Sequence, residues 1–378
     1  MPRCHQSAYR KNKQNNNGRP DLRQSHVPHL AEPARSVNLR RLIQAGINRA
    51  HSGQIDNGIP SDVLPDPGKC VDRPEHVGIP QKRRMLRSRH RIHQLSQNTA
   101  RLGKNVDHSA DNHQGNEMGF NGCRKHQKVE DARFLYHADR LGFLVWGEMA
   151  SACLFTDNGI TSYANEWFEV VRRDYNHPSI VAWVPFNESW AIPNVDLDKR
   201  QQDQTMGMYY LLKSLDPTRL VVNNDGWEMT KSDICAIHNY AHGSTKEPGK
   251  QAFFRRAMED KDVLLSCTHA GRSVFAQGYS YGGEPILITE CGGINYNATE
   301  DGNWGYTSAA DEEDFLRQYE HVVRSILGSD LIYGFCYTQL SDVEQETNGL
   351  LTYDRIPKCD PAKIRAVNSL YRHNISID

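Results

Sequence analysis

Two glutamates follow short apolar runs and could supply acid–base or nucleophilic chemistry. Glu188 comes shortly after the run 180–184, and Glu290 directly follows the run 285–289. In barrels of alternating strands and helices, the residues at the carboxyl ends of strands carry the chemistry. About 100 residues separate the two glutamates, which is about three of the eight strand–helix units in a barrel of about 250 residues. We therefore expect Glu188 and Glu290 to face one pocket from opposite sides.

Paired carboxylates across a pocket indicate glycoside hydrolysis, because that reaction uses one carboxylic acid and one carboxylate. In a retaining enzyme the two groups stand about 5–5.5 Å apart, and one of them attacks the anomeric carbon. The competing interpretation is that each glutamate forms only a structural ion pair at the end of its strand. Two strand-end glutamates at this spacing favour the chemical interpretation over the structural one.

The elements that would position these glutamates alternate from residue 118 onward. Helical patterns with one apolar face lie between the apolar runs; one starts at Asp131 and has Gly142 as its expected C-cap. Seven strands are legible, at residues 118–122, 143–146, 180–184, 220–222, 234–237, 285–289 and 331–335. The fold class is therefore α/β, a TIM (β/α)8 barrel, although the sequence leaves open a barrel that lacks its first strand.

The amino-terminal segment, residues 1–117, differs from the rest of the chain. It is rich in Arg, His, Gln and Asn, and Tyr9 is its only aromatic residue. Such a composition buries too little apolar surface to offset the entropy of ordering, which predicts disorder. The abrupt change near residue 117 is also what a misread frame or a mis-set gene start would produce. We expect two parts: a disordered or mis-framed segment, 1–117, and a catalytic barrel, 118–373.

From about residue 118 to 367 the chain resembles the catalytic barrel of family 2 glycoside hydrolases, the group of β-galactosidases, β-glucuronidases and β-mannosidases. The specific motif is RDYNHPSI, followed downstream by Asn187-Glu188 and by Thr289-Glu290. The stretches GFNGCRKHQ and DRLGFLVWGE match more loosely. The resemblance implies a retaining exo-β-glycosidase in which Glu188 is the acid/base and Glu290 the nucleophile.

The resemblance also ranks the substrates. A β-galactoside is the leading expectation, on family frequency alone, and a β-glucuronide or a β-mannoside is the alternative. A glucuronidase would need a cationic contact for the uronate carboxylate, and no clear Asn-x-Lys pattern follows Glu290. A hypothesis of another class is a truncated product that is non-catalytic or binds sugar weakly.

Other polar residues are expected to bind substrate or to orient the glutamates. By resemblance, Asn187 hydrogen-bonds the sugar 2-hydroxyl, and Arg124 can pair bidentately with an ionised Glu290. His126 lies two residues past Arg124, whereas the better-known relatives have a histidine three residues past it. His238 and Tyr240 close the sixth strand and could contact sugar hydroxyls or orient Glu290; a purely structural role is the alternative for His238.

Aromatic side chains on loops are candidates for stacking on a sugar ring. Trp190 and Trp304 lie on such loops, and a flat aromatic face complements the C–H face of a pyranose. Tyr337 follows the eighth strand, where family members often have tryptophan, so we expect it to bear on substrate preference.

Composition excludes several partner classes. A formal net charge of -1 gives no electrostatic reason to expect nucleic acid or an anionic membrane as partners. Nine scattered cysteines and a charged start without an apolar stretch predict free thiols and a cytoplasmic protein. No cofactor or metal site is required, although a magnesium ion near Glu148 or Asp342 stays open. We expect a carbohydrate substrate and make no prediction of oligomeric state.

Overall fold

A sheet of eight parallel strands organises the part of the chain that the computed structural model describes, residues 93–98, 110–152, 154–266, 270–296 and 303–370. The spatial order is β5-β4-β3-β2-β1-β8-β7-β6. A backbone bridge between Gly226 and Ile237 joins the segment after β5 to β6 and closes the barrel. The predicted TIM barrel is confirmed. The strands are β1 (His93–Asn98), β2 (Gly122–Lys125), β3 (Leu144–Glu148), β4 (Ile180–Val184), β5 (Leu220–Val221), β6 (Cys235–His238), β7 (Ile286–Gly292) and β8 (Ile332–Thr338).

Helices alternate with these strands, as the sequence pattern predicts. The second helix shows why the boundaries fall where they do: Asp131 caps its first turn, and Gly142 ends it at φ 66° in the left-handed region that glycine favours. The described helices are α1 (Ala110–Glu117), α2 (Ala132–Leu141), α3 (Asp157–Asp174), α4 (Lys199–Leu215), α5 (Pro248–Glu259), α6 (Lys261–Ser266), α7 (Glu312–Leu327) and α8 (Pro361–Asn368).

The first strand is present, so the suggestion that the barrel lacks it is wrong. β1 pairs in parallel with β8, where Leu95 lies opposite Cys336, and with β2, where Gln97 lies opposite Arg124. The described fold therefore begins before residue 118, with β1 and then α1. The remainder of the amino-terminal segment, 1–92 and 99–109, lies outside the described residues, as do the predictions of disorder or a misread frame made for it.

The second strand lies four residues later than the sequence pattern placed it. Residues 118–121 turn back from α1, where the Phe120 N–H donates to the Gly115 carbonyl at 3.0 Å. β2 then runs over Gly122–Lys125, and all four of its residues are buried. This shift places Arg124 inside a strand, next to the barrel axis, rather than on a loop.

The core between strands and helices fixes β4, the strand that precedes Glu188. Trp183 of β4 is fully buried and meets Trp167 of α3 edge to face at 6.1 Å. Its indole N–H donates to Asp216 Oδ2 at 3.0 Å, and Asp216 is held in turn by Arg219. Because the buried indole is both packed and hydrogen-bonded, β4 is a rigid support for the residues that follow it.

Candidate active site

The backbone immediately after β4 is held in an uncommon conformation. Glu188 and Ser189 both have positive φ, 50° and 58°, which costs non-glycine residues about 1–3 kcal/mol each. The Glu188 N–H donates to the Asp225 carbonyl at 2.9 Å, which ties the turn to the segment after β5. The turn directs the Glu188 side chain to the barrel mouth, where it lies beside His238.

A buried polar network supports this turn from below. The Ser189 hydroxyl donates to Glu228 Oε2 at 2.6 Å and accepts from Asn224 Nδ2 at 3.0 Å. Arg272 donates to Glu228 Oε1 at 2.9 Å, so the buried Glu228 carboxylate is paired with a cation. The network offsets the strain of the turn, because the two hydrogen bonds of the Ser189 hydroxyl would be lost if the turn relaxed.

The structure brings Glu188 and Glu290 together at the mouth, with His238 between them. One ligand-type atom from each of the three residues lies within 4.8 Å of the other two. His238 Nδ1 lies 2.8 Å from Glu188 Oε1 and 3.3 Å from Glu290 Oε2, and its Nε2 lies 3.4 Å from Asp225 Oδ1. The imidazole therefore contacts three carboxylates at once.

Arg124 binds several carboxylates rather than Glu290 alone. Its side chain is fully buried, and Nη1 contacts Glu290 Oε1. Its Nε lies 2.9 Å from Glu148 Oε2 and 2.7 Å from Asp225 Oδ2, while Nη2 donates to Asn187 Oδ1 at 2.6 Å. Arg124 therefore does not form the expected bidentate pair with Glu290: only Nη1 contacts Glu290, and Nε and Nη2 contact residues at or beyond the ends of other strands.

These contacts keep Glu290 ionised. Burial alone would raise the pKa of Glu290, but the positive charges of His238 and Arg124 outweigh it and lower the pKa to about 2. Burial likewise opposes the shift at Asp225, whose pKa Arg124 and His238 lower to about 2. His238 would lose its proton on burial, but Glu290 and Asp225 raise its pKa to about 10. At neutral pH the imidazolium is therefore a fixed positive charge beside both glutamates.

Two further titratable groups, Glu148 and His126, border this cluster, and the pKa of each is shifted in the direction that favours its neutral form. Burial raises the pKa of Glu148 to about 7, and the nearby Asp225 charge adds to this effect while Arg124 opposes it. His126 Nδ1 lies 3.7 Å from Glu290 Oε1, and burial together with the Arg124 charge lowers its pKa to about 4. His126 is therefore a neutral imidazole at pH 7, with 28% of its side chain exposed.

Tyr240 and Tyr306 complete the surroundings of Glu290. The Tyr240 hydroxyl donates to Glu290 Oε2 at 2.5 Å and also lies 2.9 Å from Thr338 Oγ1. Tyr306 stacks on the Tyr240 ring at 3.5 Å with an interplanar angle of 5°. This stacking fixes the phenol that holds the second oxygen of Glu290.

The aromatic candidates divide between the surface and the core. Trp190 and Trp304 are 57% and 45% exposed, so both have faces open to solvent. Tyr337 is fully buried and packs edge to face on Tyr319 of α7 at 4.9 Å, so its prediction as a substrate-binding residue is wrong. β8 continues to Thr338, three residues past its predicted end, and the alternation of a strand turns Thr338 inward and Tyr337 outward.

Sequence reasoning missed Asp225 and Tyr306. Asp225 contacts Arg124, His238 and Thr289, whose hydroxyl donates to its Oδ1 at 2.5 Å. The sequence could have predicted Asp225, because the polar run 223–225 follows the apolar run of β5 just as Glu188 follows that of β4. Tyr306 had no such signal, because it lies on the loop after β7 and reaches the site only through tertiary packing.

The two carboxylates near which a magnesium ion was left open, Glu148 and Asp342, are already paired with cationic side chains. The Glu148 oxygens receive Arg124 and the Gln127 N–H, the latter at 2.9 Å. Asp342 Oδ1 receives Lys358 Nζ at 2.7 Å and the Gly349 N–H at 2.8 Å. A hard cation that used these same oxygens would have to displace the cationic side chain that already neutralises each carboxylate.

An eight-stranded parallel barrel with two glutamates facing each other at the carboxyl ends of β4 and β7 has the architecture of a glycosidase. The family described as glycosyl hydrolases family 2, TIM barrel domain, matches residues 77–372. The chain belongs to this family. No helix in the described residues is long and apolar enough to cross a membrane.

Two curated relatives align with part of this chain. A putative beta-glucuronidase from Formosa agariphila is 31% identical over 144 residues, which cover 36% of this chain and 17% of that protein. Beta-galactosidase BoGH2A from Bacteroides ovatus is 26% identical over 202 residues, 43% of this chain and 23% of that protein. The aligned part is thus less than a quarter of the length of either relative.

Solved structures agree on the fold. A beta-D-glucuronidase of Dictyoglomus thermophilum superposes with a TM-score of 0.58 at 17% identity, over 74% of this chain and 51% of that one. A family 2 beta-galacturonidase from Eisenbergiella tayi, bound to galacturonate, gives 0.54 at 20% identity, over 74% and 51%. At these identities the likeness shows the barrel and leaves the sugar open.

Proposed function

We propose that the chain is a retaining exo-β-glycosidase in which Glu290 is the nucleophile and Glu188 the acid/base. The observation that carries the proposal is the pair itself: carboxylate oxygens of Glu188 and Glu290 within 4.8 Å, with Glu290 kept ionised by its neighbours. A separation of this size is closer to the roughly 5–5.5 Å of retaining enzymes than to the roughly 6.5–9.5 Å of inverting ones, which supports direct attack by Glu290.

The reaction would proceed by double displacement. A Glu290 oxygen attacks the anomeric carbon, the glycosidic C–O bond breaks, and the departing oxygen takes a proton from Glu188. Glu188, now a carboxylate, takes a proton from water, whose oxygen attacks the same carbon and releases Glu290. Two inversions give net retention of the anomeric configuration.

Two neighbouring residues would act on the sugar and on the nucleophile. Asn187 is buried, its Oδ1 is used by Arg124, and within the described residues no group accepts a hydrogen bond from its Nδ2. That amide suits the sugar 2-hydroxyl, a contact that strengthens in the transition state. The Tyr240 hydroxyl donates to Glu290 Oε2 and so orients the carboxylate for attack on the anomeric carbon.

A β-galactoside stays the leading substrate within this proposal, with β-glucuronides and β-mannosides as alternatives. The alternative to an active enzyme is a fragment that binds sugar without hydrolysing its glycosides. This alternative has to be tested because the aligned part covers only 17% and 23% of the two curated relatives. The oligomeric state is not part of the proposal.

The test compares wild type with Glu290→Gln and Glu188→Gln on a panel of nitrophenyl β-glycosides, with exposed Glu344→Gln as the matched control. We expect Glu290→Gln to lose about 10⁴-fold or more of kcat/KM. Glu188→Gln should lose about 10²–10⁴-fold on poor leaving groups and less on nitrophenol, which departs without a proton. NMR of the first product anomer should show retention. A folded wild type without turnover, or an inverted product, would refute the proposal.

A further inference from the structure

A third glutamate reaches the mouth from the loop after β8. Glu346 is partly buried, and its Oε1 accepts a hydrogen bond from Asn348 Nδ2 at 3.0 Å. Asn348 Oδ1 accepts in turn from Gln339 Nε2 at 2.9 Å. Gln339 directly follows Thr338, whose hydroxyl contacts Tyr240 beside Glu290. A short line of amide hydrogen bonds thus connects Glu346 to the carboxyl end of β8.

The same loop is joined to the aromatic rim of the mouth. The backbone N–H of Trp304 donates to the Gln345 carbonyl at 3.0 Å, and the backbone N–H of Thr347 donates to the Trp304 carbonyl at 3.2 Å. Trp304 meets Tyr306 edge to face at 5.7 Å, and Tyr306 stacks on Tyr240. Glu346 therefore lies beside the exposed indole that is a candidate platform for a sugar ring.

Glu346 shares the electrostatic environment of the catalytic pair. Burial raises the pKa of Glu346, and the negative charges of Glu290 and Glu188 raise it further. The three carboxylates therefore interact electrostatically. Together with the hydrogen bonds that join its loop to Trp304 and to Gln339, the partial burial of Glu346 places it at the wall of the cleft.

Lys358, a buried lysine that contacts this loop, is already paired. Lys358 Nζ donates to Asp342 Oδ1 at 2.7 Å, to the Thr347 carbonyl at 2.8 Å and to the Tyr296 carbonyl at 3.1 Å. Those three contacts use all three ammonium protons. A negatively charged sugar near Glu346 would thus meet a carboxylate, while Lys358 keeps its own partners.

Building on the proposed glycosidase function, we propose that Glu346 accepts hydrogen bonds from substrate hydroxyls and repels uronates, so that the site selects glycosides whose terminal sugar is uncharged. A hydroxyl can donate to a carboxylate, whereas a second carboxylate at the same place repels it. The named relatives include glucuronidases and a galacturonidase, so this specificity cannot be transferred from them and follows only from the residues here.

The test uses pairs of substrates that differ only at C6: nitrophenyl β-galactoside against β-galacturonide, and β-glucoside against β-glucuronide. Wild type should prefer the neutral member of its best pair by about tenfold or more in kcat/KM, and Glu346→Gln should reduce that preference by about tenfold. Glu344→Gln removes an exposed charge from the same loop and should leave the preference unchanged. A wild-type preference for the uronide, or an equal preference in wild type and Glu346→Gln, would overturn the inference.

Binding separates this inference from the proposed activity. Affinities for the phenyl 1-thio-β-glycosides of the same pairs can be measured by calorimetry whether or not the chain is a hydrolase. Selective binding of the neutral member, reduced in Glu346→Gln, would uphold the role of Glu346 even if no substrate were turned over. Binding of neither member, or equal binding of both, would refute it independently of catalysis.

Discussion

Replacing Arg124 with methionine should destabilise the barrel in a pH-dependent way. Arg124 is fully buried and contacts Glu148, Asp225 and Glu290, which come from three different strand ends. Methionine fills similar volume but leaves buried carboxylates without their cation. Removing one partner of a buried ion pair costs about 3–5 kcal/mol. We therefore expect the free energy of unfolding at pH 7 to fall by about this amount, and Tm to fall by about 10 °C.

The sign of the pH dependence follows from the pKa shifts. In wild type the pKa values of Glu290 and Asp225 are lowered to about 2, so their stabilisation is present above about pH 4 and is lost as pH falls toward 2. The pKa of Glu148 is raised to about 7, so its contribution is present below about pH 4 and is lost as pH rises through 7. Without Arg124 the pKa values of all three carboxylates rise; His238 still lowers those of Glu290 and Asp225, so the largest rise is expected at Glu148. The variant should therefore be weaker at pH 7 than at pH 4–5.

Urea unfolding of wild type and Arg124→Met at pH 5 and pH 7 measures this directly. Arg317→Met removes a half-exposed arginine from an i,i+4 pair on α7 and should change stability little at either pH. A deficit in Arg124→Met below about 1 kcal/mol, or one of equal size at both pH values, would refute the reasoning. The first result would mean that the carboxylates find other partners, and the second that only packing was lost.

Two further predictions concern the groups around the glutamates. In Tyr240→Phe the lost hydrogen bond should raise the pKa of Glu290, so the acidic limb of the kcat/KM profile should move to higher pH, with about a tenfold loss at neutral pH; an unmoved limb would contradict this. In Ser189→Ala the turn at Glu188 loses its bond to Glu228, so we expect about 1–2 kcal/mol lower stability by urea unfolding and a lower kcat at similar KM. A KM effect without a kcat effect would place Ser189 in substrate binding instead.

The sequence could predict the barrel and the two glutamates because both follow from local patterns. The apolar run of β4 ends at Pro185, and a polar residue just past a buried strand must lie at the sheet edge. The family motif around Asn187-Glu188 added the roles. Such rules locate the carboxyl ends of strands only to within a few residues, and that was enough for Glu188, His238 and Glu290, which lie at or near those ends.

The first strand could not be predicted by the same rules. Its sequence, HQLSQN, has a single aliphatic residue, Leu95, and no alternation. Its position is fixed by pairing with β2 and β8 on either side, which is a tertiary constraint that overrides local propensity. The prediction for Tyr337 was wrong for a related reason. The predicted end of β8 was three residues too early, so the alternation of side chains beyond it could not be assigned to a face of the sheet.

The contacts of Arg124 connect folding and chemistry in this barrel. The arginine enters from β2, and its partners come from the ends of β3 and β7 and from the segment after β5, so they meet only in a closed barrel. β1 separates β2 from β8, and without it that closure would fail. An open barrel would separate Glu290 from Arg124 and so remove one of the positive charges that lower its pKa and hold its side chain in place. Because the same contacts stabilise the barrel and hold Glu290 ionised, Arg124→Met should lower the free energy of unfolding and the turnover together, whereas a loss of stability without a loss of turnover would separate the two roles.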